Sequence, residues 1–153
     1  MQLTMHTDYA LRVLLYLAHF PEKRVNTEEI SQAYGISKNH LVRVVHTLAE
    51  HDFIKVNVGR SGGIELVREA KDIRVGAVVR ATEASFRLVE CHDHQNNTCP
   101  IVPVCGLKTV LSSALDVFLA ELDRHTLADM VKPRSRTQFQ QLLSVRLPSK
   151  ATD

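Results

Sequence analysis

Two short helical patterns joined by one glycine constrain this chain more than any other feature. The stretch "NTEEISQAYGIS", residues 26–37, opens with Asn26 or Thr27 as N-cap and sets Glu28 and Glu29 in a first turn. It offers Ile30 and Ala33 to a core and is broken by Gly35. After the Gly35–Ile36 turn, Ser37 caps "KNHLVRVVHTLAEHDF", where Leu41, Val44, Val45 and Leu48 form one apolar stripe. Lys38, Asn39, His40, Arg43 and His46 lie largely off that stripe. A tight turn between two helices, the second with a polar free face, is a helix-turn-helix pattern, one also found in small helical proteins that never meet DNA. The next segment, "FIKVNVGRSGGIEL", alternates apolar and polar residues on both sides of "GRSGG" and predicts a β-hairpin turning at Gly59, Gly62 and Gly63. A helix-turn-helix followed directly by a hairpin is the winged-helix arrangement. Its tip carries Arg60, placed to enter a minor groove or touch phosphates, or else an ordinary exposed turn residue.

The remaining elements fall around this core. Thr7 and Asp8 precede a pattern of Leu11, Leu14, Leu15 and Ala18 that stops before Pro21, so a first helix is expected with Asp8 near its start. A short helix is expected from Val75 to Glu83, with Val75, Val78 and Val79 facing inward. From Val104 to Val131 runs the longest helical pattern, with Val104, Leu107, Leu111, Ala114 and Phe118 on one line and Val110, Leu115, Leu119 and Leu122 beside it. That face is wider than one neighbour needs. It predicts packing against the chain's own domain and against a second copy, giving a two-fold homodimer. The expected fold is therefore mainly α with a small β-hairpin: a winged helix-turn-helix domain over 1–84, a cysteine loop and dimerisation helix over 85–131, and a basic C-terminal tail over 132–153. Residues 132–150 hold five Lys or Arg and no acid, which reads as a solvated tail or, alternatively, a phosphate-binding arm.

Composition limits the function classes. The apolar run "ALRVLLYLAHF" is interrupted by Arg12 and falls short of the roughly 20 residues that span a bilayer. With no basic leader ahead of it, a cytoplasmic protein with no membrane partner is expected. The net charge of +2 is too small to argue for nucleic acid by itself. No HExxH pattern and no evident nucleophile–histidine pair occur, so an enzyme is not expected. His6, His19, His51 and His125 read as ordinary surface or helix-end residues.

All three cysteines fall in "CHDHQNNTCPIVPVC", residues 91–105, with seven residues between Cys91 and Cys99 and five between Cys99 and Cys105. Structural zinc sites favour tighter pairs, two to four residues apart, whereas a longer loop can wrap an iron–sulfur cluster. Cluster, zinc site, thiol redox switch and buried cysteines all remain open on spacing alone. Three thiols are one ligand short of the usual cluster set, and His92, Asp93 and His94 are the loop's own candidates for the fourth.

The order and wording of "MQLTMHTDYALRVLLYLA", "YGISKNHLVRVVHTL", "GRSGGIEL", the cysteine loop and "FLAELDRHTLADMV" resemble the Rrf2 family of bacterial transcription regulators, and within it the nitric-oxide-sensing repressors. The resemblance implies a recognition helix from Ser37 to His51. Ser37, Lys38, Asn39, His40 and Arg43 would serve the major groove or its flanking phosphates, with Arg60 on the wing. It implies a homodimer on a roughly palindromic stretch of double-stranded operator DNA. It also implies an iron–sulfur cluster, most readily 4Fe–4S with 2Fe–2S as the alternative, on Cys91, Cys99 and Cys105. The remaining iron would be held by Asp8 reaching across from the other subunit; a plain helix-capping Asp8 is the competing reading. In the relative that senses cluster supply, a histidine lies three residues after the last cysteine, where this chain has Lys108, a protonated amine that cannot serve. The function so implied is a repressor of nitric oxide detoxification genes that leaves DNA when its cluster is nitrosylated. A regulator of the same type sensing iron, redox state or cluster supply is the alternative.

Overall fold

A computed structural model describes residues 2–57, 59, 62–93, 95–131 and 133–144, with no side-chain account of 133–136. Helix α1 covers Met5–His19, one turn earlier than its sequence pattern predicts. Thr4 is its N-cap, its hydroxyl accepting from the Thr7 amide at 3.3 Å. The early start has a distant cause. Glu83 Oε2 accepts from the Thr4 amide at 3.0 Å, the Thr4 hydroxyl at 3.1 Å and the Thr7 hydroxyl at 2.7 Å, placing a carboxylate at the positive end of the helix.

Helix α2, Thr27–Tyr34, is capped by the Asn26 side chain on the Glu29 amide and closed by Gly35 in the left-handed region at φ 66°. Helix α3, Lys38–Glu50, starts at Ser37, whose hydroxyl accepts from the His40 amide. Leu41, Val44, Val45 and Leu48 of α3 are buried against Ala10, Val13, Leu14 and Leu17 of α1 and Ile30 and Ala33 of α2 in one core. Helices α2 and α3, joined at Gly35, form the expected helix-turn-helix, with α1 packed against them.

Strands β1 (Ile54–Asn57) and β2 (Gly63–Leu66) pair antiparallel, Ile54 opposite Leu66 and Asn57 opposite Gly63. The hairpin is anchored at its base: Ile54 and Ile64 are buried, and the Ile64 amide donates to the Val25 carbonyl at 2.7 Å. The expected alternation does not carry through, because Val56, beyond the edge of the core, is exposed. The turn nonetheless needs its glycines: Gly59 has φ 118°, and a Cβ on Gly62 would meet the Asn57 carbonyl oxygen at 2.3 Å.

Helix α4, Val75–Thr82, buries Gly76, Val78, Val79 and Thr82, with Val75 only half-buried. The cysteine loop follows, broken by 3-10 turns at Glu90–His92 and Val102–Val104. Helix α5 then runs Gly106–Asp123 rather than from Val104 to Val131. Val104 belongs to the preceding turn and is 85% exposed. At the far end, Arg80 holds the Asp123 carboxylate through two bonds of 2.6 and 2.7 Å, and Arg74 donates to the Asp123 carbonyl at 2.8 Å. A new helix, α6 (Leu127–Met130), begins with a reciprocal capping box between Thr126 and Asp129. None of the residues of α5 is buried in the single chain.

The segment expected to be a solvated tail instead forms helix α7, Pro133–Ser144. Phe139 stacks on His19 with ring centroids 3.7 Å apart and planes 8° apart, and Leu143 is buried in the common core. His19, read as a surface or helix-end residue, is the last residue of α1 and is buried, with its Nδ1 donating to the Leu15 carbonyl at 2.8 Å. Residues 145–153 and Lys132 lie outside the described residues. No helix among the described residues is long and apolar enough to cross a membrane.

Candidate nucleic-acid interface and thiol loop

The buried stripe of α3 leaves its opposite side to solvent, and Ser37, Lys38, Asn39, His40 and Arg43 are all exposed there. Their surroundings differ. Ser37 already uses its hydroxyl as cap, and Lys38 Nζ lies 3.1 Å from Glu28 of α2. The hydrogen bond from Lys38, helped by one from Gln32, holds the Glu28 carboxyl below the usual carboxylate value. The His40 ring lies 6.2 Å from the Tyr9 ring of α1, and His46 pairs with Glu50 at 3.3 Å. Val42, which polar-face reasoning passes over because it is apolar, is exposed among these residues. Arg60, the wing residue, lies outside the described residues.

The first turns of α1 run alongside this surface. His6 Nε2 is 3.2 Å from the Thr47 hydroxyl of α3. Asp8 does not cap α1, since Thr4 does. Its carboxylate instead grips Arg12 one turn on, at 2.7 Å to Nη2 and 3.1 Å to Nε. The Arg12 guanidinium lies over the rings of Tyr9 and Tyr34, 5.8 and 5.9 Å from their centroids. Tyr34, from the end of α2, donates its hydroxyl to the Arg12 carbonyl, and burial pushes the Tyr34 phenol up to about 12. Asp8 is thereby one link from the helix-turn-helix.

The thiol loop is built by its own polar residues. Glu90 accepts from both the amide and the hydroxyl of Thr98, joining the two halves of the loop; these bonds, the amide first, hold its carboxyl below the usual value. Asp93 accepts from the Asn96 side chain and from the Gln95 and Asn96 amides and pairs with Arg87. Its carboxyl is held low, chiefly by the Asn96 bond. Its lone pairs are therefore committed within the loop. His92 is engaged at both ring nitrogens: Nδ1 accepts from the Leu88 amide at 3.4 Å and Nε2 meets the Ser112 hydroxyl of α5 at 3.4 Å. His94 lies outside the described residues.

Cys91 rides the first 3-10 turn, Cys99 follows Asn97, whose side chain accepts the Cys99 amide, and Cys105 is the N-cap residue of α5. All three thiols are free and partly buried. Cys105 stands at the start of an 18-residue helix, and no side-chain capping bond occupies it. The donor set is chemically suited to a soft-metal cluster, and two competing ligands of the loop, His92 and Asp93, are already hydrogen-bonded. Within one chain, however, no three His, Cys, Asp or Glu side chains among the described residues are gathered as a metal site.

A profile of the Rrf2 family, described as iron-dependent transcriptional regulators, matches residues 3–133. The HTH-type transcriptional regulator NsrR of Bacillus subtilis (strain 168) is 49% identical over 133 residues, covering 86% of this chain and 91% of the relative. Its namesake from Halalkalibacterium halodurans is 42% identical over 147 residues, covering 95% and 99%. Among solved structures, T. potens IscR is similar at a TM-score of 0.71 and 27% identity, covering 90% of this chain and 91% of that one. CymR (YrzC), the global cysteine regulator of B. subtilis, shares the fold at a TM-score of 0.63 and 21% identity, covering 85% and 95%. A winged helix with three free thiols behind it, matched along nearly its whole length by such regulators, places the chain: it belongs to the Rrf2 family of transcriptional regulators.

Proposed function

We propose that this DNA-binding regulator is a nitric-oxide-responsive repressor, acting in the cytoplasm as a homodimer on a palindromic operator and carrying a 4Fe–4S cluster. The observation that carries the reading is the set of three free thiols on one loop of a chain 42–49% identical to regulators named NsrR. Cys91, Cys99 and Cys105 would hold the cluster, with Asp8 of the partner subunit as fourth ligand. A cluster held in this way would supply one iron open to a diatomic gas, because a carboxylate oxygen binds it less firmly than thiolate sulfur does.

The chain's own residues supply the coupling. Asp8 has two claims on it, the cross-subunit position and Arg12, and an iron at one carboxylate oxygen would draw that oxygen from the two-point grip on Arg12 found here. Released from the first, its carboxylate settles on Arg12 at the 2.7 Å distance found here. Arg12 lies against Tyr9 and Tyr34, and Tyr9 lies against His40 of α3, so a change at Asp8 reaches the recognition helix through packed neighbours. A small shift of the two α3 helices relative to each other alters their match to half-sites about one DNA turn apart. On DNA, Lys38, Asn39, His40 and Arg43, with Ser37 at the helix start and Arg60 on the wing, would make the base and phosphate contacts.

The test is anaerobic purification. About four iron and four sulfide per chain, bleaching by nitric oxide and parallel loss of operator binding are expected. A colourless protein whose DNA affinity ignores nitric oxide overturns the reading. Regulation by iron, redox state or cluster supply, favoured by the iron-dependent description of the family, would instead make binding follow cluster occupancy or oxidation more strongly than nitric oxide.

A further inference from the structure

Helix α3 carries two stripes of the same helical spacing on opposite sides. Leu41, Val44, Val45 and Leu48 are buried, and Asn39, Val42, Arg43 and His46 are exposed, each set following i, i+3, i+4, i+7. Three members of the exposed set are polar, and the fourth, Val42, is 53% exposed. A β-branched side chain in mid-helix gives up rotamer freedom, and here it also leaves two methyl groups in water. The other polar residues of the first turn are turned aside, Lys38 toward Glu28 and His40 toward Tyr9, so Val42 stands at the centre of what α3 presents outward.

We infer that Val42 is a specificity-determining residue that reads a thymine by packing on its C5-methyl group in the major groove. This rests on α3 being the DNA-reading helix, as proposed above. The thymine methyl is the apolar group on the major-groove edge of the four bases, while every other feature there is a hydrogen-bond donor or acceptor. Valine can bond to none of those, so a cytosine amino group or a purine acceptor under Val42 would lose water and gain no partner. Asn39 and Arg43 beside it have side chains suited to adenine and guanine edges. Val42 therefore fixes one pyrimidine between positions that its neighbours read by hydrogen bonds.

The experiment selects a duplex from a randomised DNA library with the full chain purified anaerobically, then replaces each thymine of the selected site by deoxyuridine, which lacks only the methyl. One position in each half-site should lose affinity about fourfold, the equivalent of burying one methyl-sized group. In Val42→Ala, a helix-favouring change at an exposed site, thymine and uracil at that position should bind equally. The inference is overturned if no thymine responds, or if the uracil effect is unchanged in Val42→Ala. Arg43→Ala separates the two levels. Loss of affinity in that variant alongside uracil-insensitive wild-type binding refutes Val42 alone, whereas an Arg43→Ala variant with unchanged affinity and salt dependence refutes α3 as the reading helix and Val42 with it.

Discussion

Gly76 has no room for a side chain: a Cβ there would stand 2.0 Å from Asp123 Oδ1 and 2.9 Å from an Arg80 guanidinium nitrogen. Alanine is otherwise the better helix former, so the sign of the effect depends on the Asp123 clamp. Gly76→Ala should destabilise the chain by about 1–3 kcal/mol, as overpacking does, and lower Tm by several degrees. In an Asp123→Ala background the same change should cost little; equal losses in both backgrounds, measured by thermal melts, would break the argument. Glu83 makes a pH prediction. Burial raises its pKa, but bonds from the Thr7 hydroxyl and the Thr4 amide and hydroxyl, with His6 nearby, outweigh that and hold it below the ordinary value. Its stabilisation is complete above the unfolded value of about 4.3 and is lost as pH falls through the lower folded value. The Tm gap between wild type and Glu83→Gln should thus be wide at neutral pH and close in acid; a constant gap would show that the charge is not responsible. Residues such as Asn26, Gly35 and Ser37 were legible from the sequence because each acts within four residues of itself. Thr4 as the cap was not: its bond to the Thr7 amide is equally local, but the carboxylate that holds Thr4 in place, Glu83, lies 79 residues away. The Asp8–Arg12 pair sits at a spacing any helix brings together, so it is implied by the sequence once α1 is placed.

At the scale of elements, the helix-turn-helix and hairpin were legible because their turn residues and apolar spacings agree locally. The hairpin's inner face was overread: alternation predicts burial of Val56, but the core reaches only the base of the wing. The break between α5 and α6 was present as Thr126 and Asp129, a capping box hidden inside a continuous apolar pattern. Helix α7 was masked by its basic composition, although Phe139 and Leu143 lie four residues apart and so share a face. Nearly all of α7 follows residue 133, where the family match ends, and it packs against α1 and α2. It is thus a brace on the DNA-reading unit rather than a free arm. Phe139→Ala, which removes a partly buried ring from its stack on His19, should cost about 1–3 kcal/mol in urea unfolding. Operator affinity measured well below the unfolding midpoint should change little, whereas a free arm would show unchanged stability and weakened, salt-sensitive DNA binding.

Two features of the single chain bear on a second copy. Helix α5 is fixed at Asp123 by Arg80 and Arg74 yet buries none of its residues, leaving Leu107, Val110 and Val117 more than half exposed along 18 residues. A helix so apolar and so uncovered calls for a second copy. Among the described residues of one chain the thiol loop gathers no group of three metal ligands, and Asp8 lies on another element against Arg12. One dimer would answer both, and mixing variants tests whether it does. Asp8→Ala chains keep three thiols and lack the carboxylate, while Cys99→Ala chains keep the carboxylate and lack a thiol. Neither homodimer should show the wild-type cluster spectrum. If Asp8 acts across the interface, a heterodimer of the two, assembled by co-expression with different tags, contains one complete site, since the three thiols of the Asp8→Ala chain meet the carboxylate of the other. Tandem-purified heterodimer should then regain about half of the wild-type cluster absorbance per dimer and the wild-type response to nitric oxide at that site, following from one intact ligand set in two. If Asp8 served its own chain's loop, no heterodimer could contain a complete set, and mixing would restore nothing.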